Sequence, residues 1–454
     1  MRQHTGFLHQ REGTATLLAV VMLLAIITSV FLAGDAWGYA SAGELLANGI
    51  NAGMRSVMAG FDTAFMSDYD LYARYAPGGA TEMGQVFRKY LAANLKTAGL
   101  VSGSMKKMDI QHAEMQQIYD LSMISVFREQ AKEAGSRYTW ILLEQEAFRM
   151  LKVLAEKFGE QGSADVSAEL NGTLSRGFPF GALLQELDAE LLLDFFKKLA
   201  TDMGELTRRI PGKWLSQPSE QEPVSDEEAN QVLLAFPESV FVKGLGTDGF
   251  LNGVQQLLEN GLDKLSLTAY ALENLSYFGS GERVGRYFSQ GQVEYLLCGE
   301  RMQLTNLVKV AAEILYIRFL LDTLAFFIRN GDPDPVSGMT AAASEALPMA
   351  LLETVKLCSG ENICFIPTLE GLTAGYRTHL VFLLGLKILF DEDTIVRRMM
   401  DMIQADRTWK DPAFRLDLMI TGLSCEMYAV IELPFSRLPA GYRRKKEAVY
   451  GKPM

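Results

Sequence analysis

The sequence predicts a mostly helical α+β chain: an N-terminal transmembrane helix, an extracytoplasmic stalk helix continuing from it, and a large mixed ectodomain. Three observations carry this reading. Residues 14–34 (TATLLAVVMLLAIITSVFLAG) contain no charged side chain, and a run of that length matches the ~20 residues, about 30 Å of helix, that cross a hydrocarbon core. Beyond it, Leu46, Ile50, Met54, Val57, Met58, Phe61 and Phe65 recur three and four apart, the stripe of a single helix face. The rest of the chain alternates helical periodicities with a few β-like runs. At 48% hydrophobic and 22% charged residues it has ordinary globular usage and the means to fill a sizeable core.

The flanks of the apolar run set its direction. Arg2 and Arg11, with His4 and His9, precede it, whereas Asp35 and Glu44 follow. The positive-inside rule keeps the tail 1–13 in the cytosol and leaves the remaining ~420 residues outside. Trp37 and Tyr39 stand just past the span, as membrane-interface anchors do. Ala40-Ser41-Ala42 has the small-x-small form of a signal-peptidase site. Signal cores, however, run only ~7–15 residues, so a retained single-pass anchor is expected.

The stalk segment is placed at 35–76, with one continuous helix over 14–65. Gly49 and Gly53 would let another backbone approach closely, and Met54, Val57 and Phe61 would pack the stalk on the globular body. Pro77-Gly78-Gly79 closes the segment. No later segment reads as a span. Residues 381–390 are short and interrupted by Lys387. Residues 304–328 carry Lys309, Glu313, Arg318 and Asp322, each costing ~2.5–3.5 kcal/mol near a bilayer centre. Both are expected to be core helices.

The first ectodomain half is placed at 77–210. It opens with a helix over 81–98, with Val86, Tyr90, Leu91 and Leu95 on one side, and continues with imperfect alternation over 106–121 that suits a strand or hairpin. One or two helices over 121–158, a polar stretch over 159–176 and a helix over 183–209 follow. Residues 211–230 are polar, acidic and interrupted by proline, so they read as a linker. The second half, 231–434, is given helices over 250–278 and 302–329, a strand over 292–298, helices over 341–357, 376–390 and 393–405, and a last strand over 426–433. In 302–329, Asn306, Lys309 and Glu313 share one side while Arg318, Asp322 and Arg329 fall about half a turn round. Such a helix is covered on different sides by different neighbours, or it bends; either way it lies centrally. The basic tail 435–454, with Arg443, Arg444, Lys445 and Lys446, is expected to fray.

Charge and composition exclude several chemistries. Fifty-five acidic against forty-three basic residues give a net charge of −12, which repels phosphate backbones, so no nucleic-acid partner is expected. Outside the cytosolic tail the histidines are His112 and His379. A histidine-based triad or metal site is therefore starved of its base or ligands, and no cofactor, metal or small-molecule substrate is expected. Gly244-Leu-Gly-Thr-Asp-Gly249 fits a dinucleotide fingerprint but lacks the return to a parallel strand that such a site needs. Of the four cysteines, Cys298, Cys358, Cys364 and Cys425, the pair Cys358 and Cys364 flanks a turn-rich loop and is a candidate disulfide; the alternative is buried thiols. The visible carboxylate clusters are Glu144 with Glu146, Asp332 with Asp334, and Asp391-Glu392-Asp393. In the last, Asp393 reads as a helix N-cap.

Arg11-Glu12-Gly13-Thr14 leading into the span, with Phe61-Asp-Thr-Ala-Phe-Met-Ser-Asp-Tyr-Asp-Leu-Tyr72 beyond it, resembles the start of TadE/TadG-like membrane proteins. Further stretches (263–270, 293–299, 306–318 and 399–404) extend the likeness to residue 433. Together they resemble a clostridial family of unknown function encoded with tight-adherence, Flp-type pilus machinery. The resemblance implies a membrane-anchored envelope protein of pilus assembly or surface adhesion, partnered by pilus or other envelope proteins and bringing no catalytic residues. Leu18 stands where prepilin-like proteins often carry Glu, so the anchor is expected to stay unprocessed. Apart from the family, a helix half in lipid and half on an ectodomain has the build of a pilin-like stalk. The rival functional reading is a carboxylate-dependent cell-envelope hydrolase.

Overall fold

The computed structural model describes residues 5–101, 108–144, 262–281, 286–330, 335–365 and 373–450. The expected helix over 183–209, the linker, the glycine motif at 244–249 and Asp332 with Asp334 lie outside the described residues. The described elements begin with α1 (Thr5–Met58), α2 (Thr63–Tyr69), β1 (Arg74–Tyr75), α3 (Gly79–Val101), β2 (Met108–Asp120) and α4 (Ile124–Glu144). They continue with α5 (Leu262–Asn274), α6 (Gln292–Cys298), α7 (Gln303–Asn330), α8 (Pro335–Cys358), β3 (Ile363–Cys364), β4 (Thr373–Ala374), α9 (Tyr376–Lys410), β5 (Met419–Glu432) and β6 (Pro439–Val449). The chain is mostly helical with some sheet, and it divides into two compact units. One comprises Met1–Met66, Tyr72–Leu121 and Asp417–Met454; the other comprises Ser67–Leu71 and Ser122–Leu416.

In the first unit, β5 is the middle strand. Both β2 and β6 pair antiparallel with its residues 422–431, so they must occupy its opposite edges, and β1 pairs with Met419 and Ile420 at its start. Alternation puts Leu423, Cys425, Met427, Ala429 and Ile431 on one face. That face forms a core with Leu46, Ile50, Met54 and Val57 of α1 and Met83, Phe87 and Leu91 of α3. Each fully buried Leu, Ile or Met contributes ~1.5–3 kcal/mol over its exposed state, so packing rather than propensity holds this half of α1. The sheet supplies what a lone amphipathic helix lacks.

The helix stops at Met58, not at Phe65. The apolar spacing runs on, but Asp62 accepts the amide of Phe65 at 2.8 Å and starts α2 as its N-cap. The carbonyls left open at the end of α1 are met by Arg74 Nη1 on Val57 O (2.8 Å) and by the Tyr450 hydroxyl on Met58 O. A side-chain cap inside the stripe thus outcompetes the stripe. The tail is a second correction: residues 439–449 form β6 instead of fraying. Their Arg and Lys residues suit an edge strand, where charge discourages pairing with foreign strands.

Among the described residues, the second unit is built mostly from helices, with β3 and β4 paired antiparallel. Helix α5 packs on α4 and α9, α6 on α7 and α9, and α7 on α8. Helices α4 and α5 cross at Gly135, where a Cβ would stand 1.8 Å from the carbonyl oxygen of Ser266; only glycine fits that crossing. The polar switch in α7 is met by different neighbours. Glu313 pairs with Lys387 of α9 at 2.7 Å, whereas Arg318 pairs with Asp322 and with Glu353 of α8. Residues 292–298, expected as a strand, are the short helix α6. Glycines at φ 82° (Gly291) and φ 70° (Gly299) bound it, and the Gly299 amide closes the last turn on Tyr295 O at 2.7 Å, the left-handed stop that glycine favours. Helix α9 breaks at Asp391 (φ −149°, ψ 69°), between the two expected segments. Its second half is capped by Asp391, which accepts the Thr394 amide at 3.2 Å, and not by Asp393.

Candidate functional site

The feature that most constrains function is the change of environment along α1. The helix is long and apolar enough to cross a membrane. Leu17, Leu18, Val20, Val21, Leu23, Leu24, Ile26, Val30, Phe31 and Leu32 are all exposed, whereas Ala42, Leu46, Ile50 and Met54 are fully buried. Asp35 marks the transition. Its carboxylate accepts the amides of Phe435 (2.8 Å) and Ser436 (3.1 Å), and so holds the loop joining β5 to β6 against the helix.

That loop, residues 433–438, fits a notch cut by two glycines one turn apart. A Cβ at Gly34 would stand 2.3 Å from the Phe435 ring, and one at Gly38 would stand 2.7 Å from Pro434. With both absent, Phe435 stacks on Phe31 at a centroid distance of 5.6 Å. Phe435 nonetheless keeps 54% of its surface exposed, and Leu438 62%. Arg437 takes the left-handed conformation (φ 56°), and its amide closes the turn on Leu433 O at 3.0 Å.

The residues singled out from the sequence have separate places. Trp37 is exposed. Tyr39 turns toward the sheet, its hydroxyl donating to Gly441 O at 3.0 Å and its ring edge-on to Tyr442. Gly49 and Gly53 lie against Leu91, Leu95 and Phe87 of α3, Met54 and Val57 are in the core, and Phe61 is half-buried against Tyr72 at 5.6 Å. Cys358 closes α8 and Cys364 lies in β3, at the two ends of the turn-rich loop. Cys358 is buried at the end of α8 and burial pushes its thiol up to about 12.

The acids of 391–393 serve structure. Glu392 meets Arg128 and Lys132 of α4, each at 3.0 Å, and Lys264 of α5. Burial raises its carboxyl, but the Lys264 and Lys132 contacts outweigh burial and leave it below its usual range. His379 is buried with Nδ1 on Gly375 O at 2.9 Å. Burial, reinforced by the Arg318 charge, lowers it to about 3, so it is neutral at ordinary pH. His112 is exposed beside Glu114. Among the described residues, no group of three or more His, Cys, Asp or Glu is placed to hold a metal ion.

Sequence reasoning missed two buried polar centres of the helical unit. Asp406, at the end of the Met399, Met400 and Ile403 face, accepts the Tyr287 amide (2.6 Å), Gln292 Nε2 (2.8 Å) and Arg286 Nη1 (3.1 Å). Arg286 also donates to Asp68 O and lies over the Tyr69 ring at 4.3 Å, tying residues 67–71 to the unit. Glu294 of α6 accepts the Phe278 amide and the Tyr376 hydroxyl, both at 2.9 Å. Burial pushes its carboxyl up to about 7. The available signal was an acid or a glutamine interrupting an otherwise apolar helix face.

Residues 215–358 match the model of a family of unknown function (DUF5702). The matched segment includes α5, α6, α7 and α8. No curated protein and no solved structure matches the chain.

Proposed function

We propose that this chain is a single-pass, membrane-anchored structural or interaction protein of the cell envelope. Its short N-terminal tail is cytosolic and its two units are extracytoplasmic, presented to pilus-assembly or other envelope partners of the Tad type. The observation that carries the anchoring is α1 itself, bare and apolar over residues 15–33 and buried along one face against a sheet beyond residue 42. A soluble protein would leave ~20 apolar residues in water, a cost the bilayer removes. The orientation follows from Arg2 and Arg11 before the span and Asp35 after it. Support for the pilus association is the resemblance of residues 11–433 to TadE/TadG-like and clostridial pilus-linked proteins, together with the pilin-like build of a half-embedded helix on an antiparallel sheet. The non-catalytic part of the proposal draws on the engagement of the Asp391-Glu392-Asp393 acids in capping and ion pairs.

The test is cross-linking in intact cells followed by purification from mildly solubilised membranes. Recovery of envelope proteins of a pilus system, lost when cells are cross-linked after the ectodomain is shaved by added protease, is the expected result. A chain found only in the soluble fraction would overturn the anchoring. A chain that is always a lone membrane monomer would overturn the partnership.

A further inference from the structure

We propose that the tip of the β5–β6 hairpin, residues 434–438, is a second point of membrane contact, immersed in the rim of the leaflet that α1 leaves. The inference rests on α1 being a membrane anchor. Phe31 lies inside the uncharged run 14–34, a turn short of its end. Phe435 stacks on it at 5.6 Å, so the hairpin ring sits at the level of the last apolar turn, below Trp37. The placement is built: Gly34 and Gly38 vacate the space for Phe435 and Pro434, and Asp35 fixes the two amides of the tip.

The tip also has the composition of an interfacial wedge. Phe435 and Leu438 keep 54% and 62% of their surface exposed, and Arg437 between them is exposed and cationic, fit for a phospholipid phosphate while the apolar pair enters the glycerol and upper acyl region. Aromatic and basic side chains gather at that depth. The occupant is lipid because the ring that holds Phe435 is itself a residue of the span. A partner reaching the tip from water would have to displace the bilayer that already surrounds Phe31.

Depth-dependent quenching in the full-length chain tests this. A cysteine is placed at Phe435 or, to keep the Phe31 stack, at Leu438, and labelled with a nitrobenzoxadiazole dye. Leu24→Cys in the span and Arg55→Cys, about 30 Å along α1 from Gly34, serve as references, and the labelled parent corrects for native thiols. The chains are reconstituted in phosphatidylcholine–phosphatidylglycerol vesicles containing brominated lipids. The expected result is quenching at 24, 435 and 438, with shallow bromines more effective than deep ones at 435 and 438, and no quenching at 55. Quenching at 24 but at neither 435 nor 438 overturns the inference and leaves the anchor standing. Loss of quenching at 24 as well overturns the anchor. A dye at 438 that is shielded without bromine quenching, and cross-links to a second copy, would make the tip a protein contact and also overturn the inference.

Discussion

Asp406 has no exposed surface yet receives donors from Tyr287, Gln292, Arg286 and Tyr69. Removing such an acceptor strands a buried guanidinium, and orphaned buried charges cost about 3–5 kcal/mol. Asp406→Ala should therefore lower the unfolding free energy of the helical unit by that order, read from the fall in its urea midpoint, and Asp406→Asn, which keeps an acceptor, by clearly less. Equal losses would mean that the negative charge, and not an acceptor of the right shape, is what matters at this site. Glu294 gives the opposite sign. Its carboxyl titrates at about 7 in the folded chain against an ordinary 4.5, so the buried site favours the protonated acid. The stability it adds is full below pH 4.5 and is lost as pH rises to about 7. Glu294→Gln keeps an acceptor for Phe278 and Tyr376 without a charge. It should flatten the decline in melting temperature between pH 5 and 8, leaving the variant roughly 2 kcal/mol better off at the alkaline end. Parallel pH profiles for parent and variant would refute the assignment.

The crossing of α4 and α5 depends on one missing methyl. Gly135→Ala improves helix propensity by ~1 kcal/mol, but it drives a Cβ into the Ser266 carbonyl, so the helices must separate. A net loss of roughly 1–3 kcal/mol, the usual cost of overpacking, is expected in thermal melts; a stabilised variant would show that the crossing is loose. How legible each element was in the sequence depended on its surroundings. Helices α7, α8 and α9 were readable because length and spacing identify a core helix even when its polar residues change sides. Helix α6 was not: QVEYLLC is buried on nearly every side, leaving no period, and its β-branched and aromatic content resembles a strand. Its flanking glycines were the usable signal. The strand β6 was hidden by its run of basic residues, which reads as solvated tail when the pairing partner is unknown. Asp35 was read as a topological charge, and nothing local marks it as the acceptor for amides four hundred residues away.

Over the whole chain, the first unit is assembled from segments that precede and follow the bulk of the second in sequence. Its middle strand, β5, is one of the last elements in the chain. A chain ended after residue 416 should keep amide-exchange protection in α7 and α9 but lose it over 42–57 of α1 and in α3, since the face those helices pack on is gone. Protection of α1 in that chain would mean the helices hold each other without the sheet. None of this long-range dependence is visible in local periodicity; only the pairing of residues 422–431 with 108–119 and 440–449 reveals it.

A middle strand encoded so late also imposes a timetable on biosynthesis. Ribosomes add ~5–20 residues per second, so the roughly 360 residues between Met58 and Met419 take about 20–70 s to make. If the chain is exported as it is translated, Leu46, Ile50 and Met54 emerge beside the bilayer and wait that long for their cover. During that interval the nascent chain is a natural client for chaperones, and its vulnerability to proteases is set by elongation speed as much as by sequence.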